Sequence, residues 1–215
     1  MSPETNNQFV LLPAINQLSQ DGLHYKDLLT YVAIRSFNNN ETDDCLPGLD
    51  TISRRSGMNK KTTMESIKRL ELSGLLKVTK STKKHVSNRY QFKKCSSFLQ
   101  IPYSVFKTDD LTFNQRAMLV FIRQCFDSVN LECLCRSIKA ISEFLGVTYK
   151  VLHCQFNVLI AKGYIEKSTK LYDCGDSRVI IKLTDKLNWK YQRPSYEAKF
   201  QQIPNEAQLS QLQFK

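Results

Sequence analysis

Between Leu46 and Lys94 the chain carries 13 Lys and Arg against 3 acidic residues, whereas Phe98–Leu183 carries 11 against 8 and residues 1–45 carry 2 against 6. Nearly all of the net charge of +11 therefore lies in one stretch with a balance of +10. Ammonium and guanidinium groups at that density neutralise and hydrogen-bond a polyanion. Other chemistries are poorly supplied. His24, His85 and His153 are too far apart for metal-ligand spacing, and neither a GxxxxGK[ST] phosphate loop, an HExxH helix nor a His-hydrophobic-His motif occurs. Asp43 and Asp44 adjoin each other in a polar loop, where solvated acids are expected. The seven cysteines are odd in number and form no CxxC pair, which argues against a disulfide framework or a zinc module. Cys133 and Cys135 alternate across Leu134 as on a strand and are expected to be reduced and buried. Neither catalysis, nor a metal, nor a cofactor is expected.

The elements that must carry these cations can be read from spacing. Leu49 and Ile52 sit three apart on a short helix that Gly57 ends, since glycine takes the left-handed conformation without steric cost. Asn59 caps a second helix, in which Thr63, Ile67 and Leu70 form a buried face and Lys60, Lys61, Met64, Glu65 and Lys68 point outward. Gly74 closes it. Leu75, Leu76 and Val78 then start a hairpin with a polar tip, Lys80 to Ser87, and a return from Asn88 to Phe92. Upstream, FVLLP at 9–13 reads as an extended piece, and Tyr25, Leu28, Leu29, Val32, Ala33 and Phe37 give a helix with one apolar face.

Residues 9–92 align without a gap on 98–181 at an offset of 89, with eleven identities, ten of which fall on turns, caps and buried positions. Phe9, Pro13, Asp21, Phe37 and Ile52 match Phe98, Pro102, Asp110, Phe126 and Ile141. Ser53, Gly57, Leu70, Gly74 and Arg89 match Ser142, Gly146, Leu159, Gly163 and Arg178. In the second copy Thr112-x-x-Gln115 reads as a capping box, and Ala117, Met118, Phe121, Ile122 and Cys125 line a helix face. Ser137 and Thr148 read as caps of the next two helices, the second with Leu152, Phe156 and Leu159 inward. A second hairpin is expected from Tyr164–Ser168 and Ser177–Leu183 around the tip TKLYDCGD. The expected organisation is a tail at 1–8, a first domain at 9–94, a linker at 95–97, a second domain at 98–183 and a tail at 184–215 that is either mobile or carries a short helix after Pro204 and Asn205. Apolar residues make up 41% of the chain, enough for ordinary cores, and no run of 18 apolar residues occurs. The start MSPETNNQ lacks a secretion signal, so a soluble cytoplasmic protein is expected, nucleoid-associated or in the host cytoplasm if phage-encoded.

Two helices at a glycine turn followed by a hairpin resemble a winged helix-turn-helix. The residues look like the winged-helix domains of bacterial, plasmid and phage regulators and replication proteins. The likeness rests on Pro47 and Leu49, on Gly57, Asn59 and Thr62, and on Leu70-x-x-x-Gly74-Leu75-Leu76. It implies a mainly α fold with small β wings (α+β), built as two tandem winged helices from an internal duplication. It also implies Lys60, Lys61, Thr62 and Glu65 as base-edge candidates, with Tyr149, Lys150 and His153 as second-copy equivalents; His153 has packing as its alternative. Arg54, Arg55, Lys68, Arg69, Lys83, Lys84, Arg89 and Arg178 are the corresponding phosphate or wing candidates. Arg69 lies near the buried side, where an ion pair within the protein is the alternative. The second copy, with Tyr149-Lys150-Val151 and a wing where Asp173 and Asp176 oppose Lys170, is expected to bind DNA more weakly or to serve dimerisation. Expected partners are duplex DNA, a second copy of the chain, and the transcription or replication machinery. No membrane is expected. The leading expectation is a transcriptional regulator; the alternatives are a plasmid or phage initiator, whose tandem domains and Phe-x-x-x-Pro lead-in this chain resembles, and a protein-interaction scaffold, which the concentrated charge disfavours.

Overall fold

Each half of the chain starts with a strand that ends in proline, and these two strands pair with each other rather than with their own halves. In the computed structural model, which describes residues 9–15, 18, 20–39, 45–83, 86–126, 131–135, 137–171 and 177–189, the first half contains β1 (Phe9–Pro13), α1 (Tyr25–Arg35), α2 (Leu49–Ser56), α3 (Lys60–Leu72), β2 (Leu76–Thr79) and β3 (Arg89–Phe92). The second half contains β4 (Phe98–Pro102), a 3-10 turn at Tyr103–Lys107, α4 (Phe113–Ile122), β5 (Glu132–Cys135), α5 (Ile138–Leu145), α6 (Tyr149–Ala161), β6 (Ile165–Leu171) and β7 (Ser177–Leu183). β4, α5, α6 and β6 begin 89 residues after β1, α2, α3 and β2. The expected α+β composition, helices with small antiparallel sheets, is present.

The β1–β4 ribbon is antiparallel, with Phe9 opposite Pro102, Pro13 opposite Phe98 and Leu11 opposite Gln100. Gln100 is the residue 89 positions after Leu11, so the ribbon is symmetric about that central pair. The equivalent helices α1 and α4 also pack on each other. Equivalent elements meeting each other is the signature of an isologous, two-fold contact. The sequence reading placed Phe9–Pro13 within the first domain; its hydrogen-bonding partner lies instead in the second.

This contact corrects the expectation of a single apolar face on α1. Asp27 through Ile34 are buried without interruption, as are Ala117 through Ile122 on α4. α1 packs against α2, α3, α4 and β1, so every side of it meets protein. The uninterrupted run AMLVFI at 117–122 already has the all-round apolar character of such a helix. One hydrophobic cluster spans both halves, and Tyr25 stacks on Phe121 across it at 6.4 Å.

Burying α1 on all sides also buries Asp27, and its carboxylate is fully satisfied. Oδ2 accepts from the His24 backbone N–H at 2.8 Å and Arg69 Nε at 2.8 Å; Oδ1 accepts from Ser66 Oγ at 2.6 Å and Arg69 Nη2 at 2.8 Å. A desolvated charge is tolerated only with such pairing. The network ties α3 to α1 and shifts the buried face of α3 to Thr63, Ser66 and Leu70, with Ile67 only partly buried.

Caps follow the sequence with one exception. Asn59 Oδ1 accepts from Thr62 N–H at 2.8 Å, Thr112 and Gln115 form their capping box, and Ser137 Oγ accepts from Ala140 N–H at 3.2 Å. Thr148 occupies the cap position of α6 without a side-chain cap bond. Gly57 and Gly146 end their helices at φ 74° and 66°. The second hairpin is longer than expected, because Thr169–Leu171 continue β6 instead of belonging to the tip. The expected tail boundary at 183 also shifts, since Leu187 and Trp189 are buried in the core. Beside them Tyr164 donates to Asp110 Oδ1 at 2.6 Å, and Lys186 lies 3.1 Å from Oδ2; these contacts hold the Asp110 carboxyl below its ordinary range. Tyr191 and residues beyond it, Asp43, Asp44, Lys84, His85, Asp173 and Asp176 lie outside the described residues.

Two outcomes are expected. Asp27→Ala leaves Arg69 unpaired at a buried contact and should destabilise the protein by about 3–5 kcal/mol in urea unfolding, whereas Asp50→Ala, which removes an exposed pair with Lys60, should cost less than about 1 kcal/mol. Because one core spans both halves, the emission of the single tryptophan, Trp189, and the far-UV dichroism of the whole chain should report one coincident transition.

Candidate nucleic-acid interface

α3 presents an exposed face with Lys60, Lys61, Met64, Glu65 and Lys68 outward and Thr62 half-buried. Its first turn contains no acidic residue, although the positive end of the helix dipole favours one there. Placing Lys60 and Lys61 at that end opposes helix stability by a few tenths of a kcal/mol each and concentrates positive potential at the point that would meet an anion. Part of this is offset, because Lys60 Nζ lies 2.7 Å from Asp50 Oδ1 on α2.

The turn that presents α3 is built from small hydroxyl residues. Ser53 Oγ donates to Thr63 Oγ1 at 3.1 Å, Thr63 donates to the Asn59 carbonyl at 3.0 Å, and Ser56 Oγ accepts from Met58 N–H at 3.4 Å. Met58 is buried beneath the turn. Gly57 serves twice here, because its φ is left-handed and because a Cβ would lie 3.3 Å from Arg116 Nη1 of the second half.

The phosphate candidates divide by environment. Arg54 is exposed. Arg55, its neighbour, has its guanidinium 4.6 Å from the Phe37 ring, 4.9 Å from Tyr103 and 5.6 Å from Phe106. It therefore fastens α2 to the second half, as Arg35 does among Phe92, Phe98 and its own Tyr31. Arg69 is committed to Asp27, which also raises its pKa through the side-chain hydrogen bond. Of the cations on these helices, Arg54, Lys61 and Lys68 remain displayed on the surface, with Lys60 shared with Asp50.

The β2–β3 hairpin, the candidate wing, lies beside them. β2 and β3 are paired, and beside the tip Ser81 N–H donates to Asn88 Oδ1 at 3.2 Å and Ser81 Oγ donates to the Lys83 carbonyl at 3.3 Å. Lys80 and Lys83 are exposed, and Arg89 is exposed at the start of β3. Between α3, the wing and the start of α2 runs a groove of about 580 Å³, lined by Gly48, Leu49, Met64, Val78, Val86 and Tyr90 among others.

A groove of about 530 Å³ occupies the equivalent place in the second half, lined by Ser137, Ile138, Lys139, Tyr149, His153, Lys167 and Val179. Ser137, Ile138, His153, Lys167 and Val179 stand 89 positions after Gly48, Leu49, Met64, Val78 and Tyr90, so five lining positions coincide. Apolar Met64 and Val78 are thus exchanged for His153 and a lysine. The Tyr149 and His153 rings lie 5.2 Å apart, tilted by 31°, and Asn157 Nδ2 lies 3.4 Å from His153 Nδ1; His153 is half-buried, while Tyr149 and Lys150 are exposed. Arg178 faces Lys170 across the β6–β7 ladder, two cations at one level of the second wing. Lys139 and Lys167, which motif reading missed, are exposed beside Tyr149 and His153. Reading the offset onto Val78 would have found Lys167.

Neighbouring arginines should separate in assay. Arg55→Ala should lower stability by about 1–3 kcal/mol through loss of three ring contacts, and the loss should register in Trp189 emission although Arg55 belongs to the other half. Arg54→Ala should leave the unfolding midpoint within experimental error.

Among the described residues no helix is long and apolar enough to cross a membrane. No curated protein matches the chain. Residues 21–76, which run through α1, α2 and α3 to the start of β2, match the family model of a helix-turn-helix domain, and this match supports a DNA-binding helix-turn-helix protein.

Proposed function

We propose that the chain binds duplex DNA sequence-specifically as a transcriptional regulator, through two winged helices descended from one duplicated unit and held about a pseudo-two-fold axis. The observation that carries this reading is the exposed face of α3, where Lys60, Lys61, Thr62, Glu65 and Lys68 stand beside the Lys80 and Lys83 wing in the stretch of +10. Lysine donates to guanine acceptors, Glu65 can accept from cytosine, and wing and flanking cations hold phosphates. Duplication is supported by the recurring element starts and by the coincident groove linings. Tyr149, Lys150, His153, Lys167 and Arg178 give the second head its own set of donors, fewer in net charge, so it contributes the weaker half of the contact. The reading requires neither catalysis nor a cofactor.

A plasmid or phage replication initiator is the second reading, favoured by the ribbon that the two lead-in strands form. Recovery of bound fragments from the source genome distinguishes them. Sites beside promoters support the regulator, and an iterated array supports the initiator.

Binding should weaken steeply with salt, with the logarithm of affinity falling linearly as salt rises. Replacing Lys83 and Lys84 by Ala should reduce that slope by about 2 and weaken all sequences alike, whereas replacing Lys60 and Lys61 should chiefly flatten the preference among sequences. Salt-independent binding would contradict a phosphate-based mode, and equal effects of the two double variants would contradict this division of roles.

A further inference from the structure

β6 is the outer strand of the second sheet, whose order is β5-β7-β6, and all its side chains from Glu166 to Leu171 are exposed. Among the described residues nothing pairs with its outer edge. The direction of its backbone groups follows from the ladder. Thr184 N–H donates to the Tyr164 carbonyl at 3.2 Å, and these residues stand opposite each other in an extension of the β6–β7 register. Alternation then turns the N–H and C=O groups of Glu166, Ser168 and Lys170 toward β7, and those of Ile165, Lys167, Thr169 and Leu171 toward the open edge. On the far side Leu183 N–H donates to the Leu131 carbonyl at 3.0 Å, as the same alternation requires.

Open edges are ordinarily blunted by a bulge, a proline or charged side chains, lysine above all; β6 carries Lys167 and Lys170 but also Glu166, so its charge is of mixed sign. β6 pairs continuously over its seven residues, contains no proline, and places Glu166 near one end against Lys170 near the other. We propose that β6 pairs antiparallel with β6 of a second copy of this chain, about a two-fold axis at Ser168. In that register Ile165 faces Leu171 of the second copy, Glu166 faces its Lys170 and Lys167 faces its Thr169, with each pairing occurring twice. An axis at Glu166, Lys167 or Lys170 sets like charges opposite each other, and an axis at Thr169 separates Glu166 from Lys170. Ser168 and Glu166 occupy non-hydrogen-bonded positions on this edge, where facing side chains approach most closely and opposite charges stabilise the pair. β2, the counterpart in the first half, is four residues long and lacks this pattern.

Sedimentation of the full chain without DNA tests the proposal independently of DNA recognition. The chain should sediment as a dimer. Thr169→Pro removes an outward N–H without breaking the β6–β7 ladder and should leave monomers. Lys170→Glu should weaken the dimer about tenfold by setting acids opposite each other, and the double variant Glu166→Lys with Lys170→Glu should return to within about threefold of the original. Ser168→Cys should give a disulfide-linked dimer on mild oxidation, whereas Glu166→Cys should cross-link no more than the unaltered chain, because only residue 168 faces its own copy. A monomer at every concentration overturns the proposal. So does a dimer indifferent to Thr169→Pro and to charge reversal, since it must form elsewhere.

Discussion

The packing of α1 against α4 is the contact on which the remaining geometry depends. It buries α1 on every side, brings the strands that precede the two helices into one ribbon, and joins both halves in a single hydrophobic cluster. Around it the second half supports the first: Tyr103 donates to the Ser36 carbonyl at 2.7 Å, Arg55 is held among rings of which two belong to the second half, and Arg116 approaches Gly57. The orientation of α3 is thus set by its own turn together with contacts from the other half.

The halves differ at several positions related by the offset of 89. Asp27, which anchors α3 through Ser66 and Arg69, has Arg116 as its counterpart 89 residues on, and Arg69 has Val158. The internal ion pair of the first half therefore has no equivalent in the second. Arg116 instead donates to the Leu111 carbonyl at 3.2 Å and reaches toward the Gly57 turn. Residue 116 thus serves the contact between halves. The hairpins differ too: β2 and β3 pair over four residues, β6 and β7 over seven.

Local order was largely legible in the sequence, because glycine at a left-handed position, Asn59, Thr112 and Ser137 as caps, and apolar spacing act over a few residues. What spacing could not reveal was tertiary. A helix buried on all sides looks amphipathic until its second neighbour is known, so α1 read as having one apolar face. An arginine beside an exposed arginine looks equivalent to it, yet Arg55 turns toward rings contributed from residues 37, 103 and 106. Ser66 did not enter the buried face read from spacing, because its partner Asp27 is 39 positions away. Trp189 read as part of a tail because no periodic element announces it. The candidate interface was legible in its charge, and its sorting into displayed and committed cations required the fold.

Selection of bound duplexes from a random pool tests the central claim most directly, because the symmetry of the recovered motif reports how the two heads are related. A pseudo-two-fold relation predicts two unlike half-sites in inverted orientation, separated by about one helical turn or ~10 bp. A single half-site, or two half-sites in direct repeat, would contradict it.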